Sequence, residues 1–187
     1  MPITASEIQF YKPMTIAASV GATSYGGSIG ASVLSGTLNE ILFAQSAEEA
    51  GGATIKQYQK LFIKNADPSI NYTSCSIWLG SQEHSWQDTE AGSVLLPQIT
   101  IALEKASASG SAILDGTNAG SAPTTLPPYI SSGDFTAPAS AGIGLAPPNV
   151  RIDANSAQGI WIRRQLVAGV VADASSTARI NVKGYST

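Results

Sequence analysis

Histidine and cysteine occur once each, as His84 and Cys75, and only 12% of the residues are charged. A lone cysteine excludes an internal disulfide framework, so stability must come from packing or from association with other chains. A lone histidine leaves almost no material for a zinc site or a Ser/His/acid constellation. Long apolar runs are missing too: none approaches the roughly 20 residues needed to span a bilayer. The opening Met1-Pro2-Ile3-Thr4-Ala5-Ser6-Glu7 carries neither a basic nor an apolar leader region. The expectation is a chain made in the cytoplasm, with no membrane partner. Positive charge is scarce as well. Ten Lys and Arg against 13 Asp and Glu give a net charge of -3, and binding to a phosphate backbone needs clustered cations. Nucleic acid is not an expected partner.

What the chain has in abundance is Gly, Ser, Ala, Thr and Pro, a balance that favours short strands and turns over charged helices. Strand patterns follow. Tyr58 to Asn65 is one, Cys75 to Leu79 a second with Cys75, Ile77 and Leu79 on one face, and Gln98 to Leu103 a third with Ile99, Ile101 and Leu103 inward. Val150-Arg151-Ile152 begins a return to the end of the chain. There, Ile160 to Gly169 and Ala178 to Gly184 read as a hairpin. In its second run Ala178, Ile180 and Val182 alternate with Arg179, Asn181 and Lys183, as on a sheet with one dry and one wet face. The predicted class is all-β, an antiparallel β-sandwich or jelly-roll-like domain.

The 187 residues suffice for one principal domain with extended arms. Residues 1–36 hold glycines at 21, 26, 27, 30 and 36 and read as an extended N-terminal arm rather than a packed element. Residues 37–187 then form the sandwich. A helical turn is expected near Ser46, before Glu48 and Glu49. Residues 105–132 form a long Ser/Gly/Pro-rich loop, of the kind held by a partner or left mobile. Asn71-Tyr72-Thr73 fits a glycosylation sequon and reads as an ordinary turn.

Catalytic chemistry finds little to work with. Glu83-His84-Ser85-Trp86, with Asp88 and Glu90 behind, is the one local cluster, and its spacing matches no zinc signature. Glu48 and Glu49 diverge by about 100 degrees on a helix and do not face one substrate. Tyr25-Gly26-Gly27-Ser28-Ile29-Gly30 lacks the lysine of a phosphate loop. No enzyme activity, metal or cofactor is expected. Trp78 and Trp161 lie between aliphatic neighbours and read as core residues. Trp86 reads as buried under its own loop or in a subunit contact, and it is the stacking candidate if the chain is instead a carbohydrate-binding module. For Arg163 and Arg164, a salt bridge or subunit contact stands beside simple protection of a strand edge.

Several segments taken in order resemble small virion structural proteins of tailed bacteriophages, of the capsid decoration or cement type. They are Ile8-Gln9-Phe10-Tyr11, Gly26-Gly27-Ser28-Ile29, Leu42-Phe43 followed by Ser46 to Gly51, Tyr58 to Asn65, and Gly159 to Arg164 with Val167-Ala168-Gly169. Gln59 departs from the pattern, where arginine is expected. The resemblance implies a non-enzymatic protein on the outer capsid surface of the virion. Its implied partners are the major capsid protein and itself, most plausibly as a trimer. The candidate assembly contacts are Phe10, Tyr11, Tyr25, Trp86, Tyr129, Arg163 and Arg164. A tail, baseplate or head-fibre component is the alternative within the particle.

Overall fold

The computed structural model describes residues 5–15, 24–34, 55–83, 99–105, 112–114, 126–166 and 177–186. Their strands are β1 (Ile8–Thr15), β2 (Ser24–Val33), β3 (Ile55–Asn65), β4 (Tyr72–Glu83), β5 (Ile99–Leu103), β6 (Ala112–Leu114), β7 (Arg151–Ile152), β8 (Ala157–Leu166) and β9 (Thr177–Ser186). One sheet has the order β5-β8-β3-β1-β2-β6, the other β7-β4-β9. All pairings between these strands are antiparallel. The two sheets pack face to face as an all-β sandwich. No helix among the described residues is long and apolar enough to cross a membrane.

Strand periodicity builds the core between the sheets. Leu61 and Ile63 of β3, Ile160 and Ile162 of β8, and Ile99 and Ile101 of β5 face Cys75, Ile77 and Leu79 of β4. Ile180 and Val182 of β9 pack against this cluster, while Arg179 and Lys183 on either side of them are exposed, as the alternation read in β9 requires of these four. Cys75 is a small core residue, and burial pushes its thiol up to about 11. Burying a Leu or Ile side chain contributes about 1.5–3 kcal/mol, and this cluster is the main adhesive between the sheets.

The connection from β3 to β4 changes sheets at Asn65-Ala66-Asp67-Pro68. Asn65, fully buried, donates from Nδ2 to the carbonyls of Ile70 (2.8 Å) and Ile152 (3.3 Å). The Asp67 carboxylate accepts the backbone N–H groups of Ser69 and Ile70, both at 2.8 Å, an Asx-type turn that holds its pKa below the ordinary range. At the sequon, Asn71 accepts the Ala154 N–H at 3.0 Å, and β4 begins at the next residue.

Residues 136–145 then run from one sheet to the other along their edges. Thr136 and Ile101 exchange backbone hydrogen bonds of 2.8 and 3.0 Å at the free side of β5, and Leu145 and Ile77 do the same at 2.8 and 2.9 Å on β4. An exposed row of unpaired strand groups invites aggregation, and this crossover covers two such rows without being a strand itself.

Four expectations change. The described parts of residues 1–36 are strands of the sandwich rather than an arm: β1 lies inside the larger sheet, paired with β3 from Ile8↔Asn65 to Tyr11↔Phe62 and with β2 on its other side. The glycines serve close approach, since a Cβ on Gly30 would lie 2.9 Å from the Lys12 carbonyl oxygen. The terminal hairpin does not form. β8 is flanked by β3 and β5, and β9 pairs with β4 in the other sheet, because a two-sided apolar strand such as β8 belongs in the middle of a covered sheet. Within the expected 105–132 loop, Ala112–Leu114 forms β6 against β2. Finally, Trp78 is half-buried on the outer face of the smaller sheet, opposite in parity to Ile77 and Leu79. The helical turn near Ser46 and the His84 cluster beyond Glu83, the last residue of β4, lie outside the described residues.

Candidate functional site

The larger sheet is buried on both faces over its middle strands. On its outer face β3 places Tyr58, Lys60 and Phe62, β8 places Gly159, Trp161 and Arg163, and β5 with its following residue places Thr100, Ala102 and Glu104. Ile130 and Phe135, from the stretch before the crossover, cap part of this face and form a second apolar cluster with Tyr58, Ala102 and Trp161. The Tyr58 and Phe135 rings meet at 5.4 Å and an angle of 53°.

Lys60 stands at the centre, and its side chain is fully buried. Nζ donates to the Gly27 carbonyl oxygen at 2.8 Å and forms an ion pair with Glu104. The ammonium also lies over two rings, 4.8 Å from the centre of Phe62 and 5.3 Å from that of Trp161. Burial lowers the Lys60 pKa, and hydrogen bonding and charge attraction from Glu104 oppose that shift.

Backbone shape makes this convergence possible. Gly26 and Gly27 have φ of 96° and 78°, a region open to glycine, and in that conformation Gly27 presents its carbonyl to Lys60. Gly159 clears the other side: a Cβ there would lie 3.0 Å from both Cβ and Cδ of Glu104. Gln158 Nε2 donates to the Glu104 backbone oxygen at 2.9 Å, and the Glu104 N–H donates to Gly159 O at 2.9 Å. Sheet order is β5-β8-β3-β1-β2, so the polar contacts of Lys60 extend from the end of β5 to β2. Two buried donors, Trp161 Nε1 on this face and Gln59 Nε2 on the inner face, have no hydrogen-bond partner among the described residues.

Arg163 flanks the cluster. Its guanidinium carbon lies 4.9 Å from the Phe135 ring centre, Nε donates to Thr100 Oγ1 at 3.0 Å, and one terminal nitrogen donates to both O and Oγ of Ser132 at 3.2 Å. Arg163 is thus held by hydroxyl, carbonyl and ring contacts inside the chain. Asp134 instead accepts Ser131 N–H at 2.8 Å and Lys105 Nζ at 3.0 Å, which keeps its pKa low.

The other candidate contacts are dispersed. Phe10 packs against the inter-sheet core. Tyr11 is half-buried, donates to Gln9 Oε1 at 2.9 Å and lies under Lys64 Nζ. Tyr129 is 70% exposed with φ of 63°. The backbone of Tyr25 pairs with Ile113, and that of Arg164 pairs with Gln57 and Ile99. Their side chains, and all of Trp86, lie outside the described residues.

Sequence reasoning missed Lys60, Glu104, Gly27 and Gly159. A signal existed in β3: Tyr58 and Phe62 share the parity of Lys60, while Leu61 and Ile63 occupy the other. A strand apolar on both parities is covered on both faces, and a lysine within it is buried. Among the described residues no three His, Cys, Asp or Glu side chains group as metal ligands. Comparison of the chain with protein-family models, curated proteins and solved structures gives no match.

Proposed function

We propose that this chain is a non-enzymatic structural protein of a tailed-phage virion that binds the outer surface of the capsid and holds neighbouring capsomers together. The observation that carries the reading is the placement of large exposed apolar side chains on different sides of one sandwich. Tyr129 is 70% exposed beside the outer face of the larger sheet, Ile143 67% exposed on the crossover, and Tyr185 58% exposed in β9 of the smaller sheet. A bridging protein must touch at least two neighbours at once, and multivalent attachment then resists outward pressure through many modest interfaces. Tyr129 also holds a left-handed backbone conformation that tyrosine rarely adopts, a local cost that recurs at functional positions. The segment order described above supports the phage assignment, with the major capsid protein as partner and a homotrimer as the assembling unit.

Copy number tests the reading. Quantitative mass spectrometry of purified source particles should find this chain in a simple ratio to the major capsid protein. A few to a few dozen copies per particle would move the assignment to a tail, baseplate or head-fibre part, and absence from particles would overturn it.

A further inference from the structure

We propose that Lys60 and Glu104 are joined by an isopeptide bond, an amide between Lys60 Nζ and Glu104 Cδ that cross-links β3 to the end of β5.

The pair differs from the Lys105–Asp134 and Arg151–Asp153 pairs in its burial. Its side chains are 0% and 5% exposed, against 51% and 35% for Lys105 and Asp134 and 45% and 52% for Arg151 and Asp153. Holding two charges out of water is expensive even when they meet. Condensation removes both charges. The local environment favours that reaction: Phe62 and Trp161 wall the amine, burial pulls the ammonium toward its neutral, nucleophilic form, and Gly159 leaves room for the carboxyl group to lie across β8. Water excluded from such a site neither solvates the charges nor hydrolyses the product.

The step balances without a co-reactant. A proton passes from the ammonium to the carboxylate, giving an amine and a carboxylic acid. The nitrogen lone pair attacks Cδ and forms the N–C bond. The bond from Cδ to one carboxyl oxygen then breaks, and that oxygen departs as water with its own proton and one from the nitrogen. The single remaining N–H of the amide is directed at the Gly27 carbonyl oxygen, already within 2.8 Å of Nζ. The bond makes β8 the floor beneath a covalent bridge, since it lies between β5 and β3.

The test is the intact mass of the full-length chain, measured after denaturation, followed by a tryptic map. The expected mass is that of the sequence less one water. The map should contain Gln57–Lys64, uncut at Lys60, joined to Asn65–Lys105. Lys60→Arg should restore the full sequence mass whether or not the variant folds, because the wild-type map alone carries the assignment. A wild-type chain at full sequence mass, with free peptides ending at Lys60, would overturn the proposal. So would a lost water that maps elsewhere.

Discussion

Glu104 reaches Lys60 by passing over Gly159, the β8 residue that lies between their strands. The absence of one side chain therefore decides whether two others meet.

Gly159→Ala tests this relationship. The new methyl carbon would lie 3.0 Å from Glu104 Cβ and Cδ, closer than carbon atoms pack, so the Glu104 side chain must move off Lys60. Overpacking of this kind costs about 1–3 kcal/mol. Urea denaturation should show a lower midpoint, and the mass deficit proposed for the wild type should disappear. An unchanged midpoint would mean that the carboxylate has another route to Lys60.

Arg163→Ala should loosen the cover on the outer face more than the sandwich itself. The substitution removes the ring contact with Phe135 and the hydrogen bonds to Thr100 and Ser132, interactions worth about 1–2 kcal/mol together. Hydrogen exchange should accelerate at the Ile130 and Asp134 amides while the β3 and β8 amides stay protected. Equal acceleration everywhere would show that Arg163 supports the whole fold.

Cys75 is predicted to resist thiol reagents until the protein unfolds. Its residue is 1% exposed, its Sγ donates to the Tyr72 carbonyl at 2.9 Å, and burial holds the thiol at about 11, far from the thiolate form at neutral pH. Labelling should track the urea transition. Rapid labelling of the native chain would contradict the core placement of β4.

Acid should weaken the turn between β3 and β4. The folded-state pKa of Asp67 is depressed by the Ser69 and Ile70 N–H groups below its ordinary 3.8. A depressed carboxylate stabilises the fold fully above the unfolded pKa, and that contribution is lost as pH falls through the folded value. Asp134 acts with the same sign through Ser131 and Lys105. Asp67→Asn should flatten the fall in stability below about pH 4, and a slope identical to the wild type would exclude Asp67 as its source.

Truncation has a different expected outcome from the one an arm would give. Removing residues 1–30 deletes β1, which pairs with both β3 and β2, so the remaining chain should lose cooperative unfolding. Tyr129→Ser is the cleaner probe of the proposed capsid attachment. That side chain is 70% exposed, and its replacement should weaken binding to shells while leaving the thermal midpoint in place.

The sequence by itself determined the strand class and much of the core. Alternation in Cys75, Ile77 and Leu79, in Ile99 and Ile101, and in Ile180 and Val182 is a local property of the pleat, so it could be read without knowing any partner. The glycine at 159 and the lysine at 60 were visible as residues but not as neighbours. Only the tertiary structure decided which strands pair: β8 and β9 follow one another in sequence yet lie in different sheets, because pairing follows which faces must be covered, a property of the whole chain. The same holds for Lys60, Glu104 and Gly27. Their meeting depends on the order β5-β8-β3-β1-β2, and no local pattern in the sequence encodes the distance across a sheet.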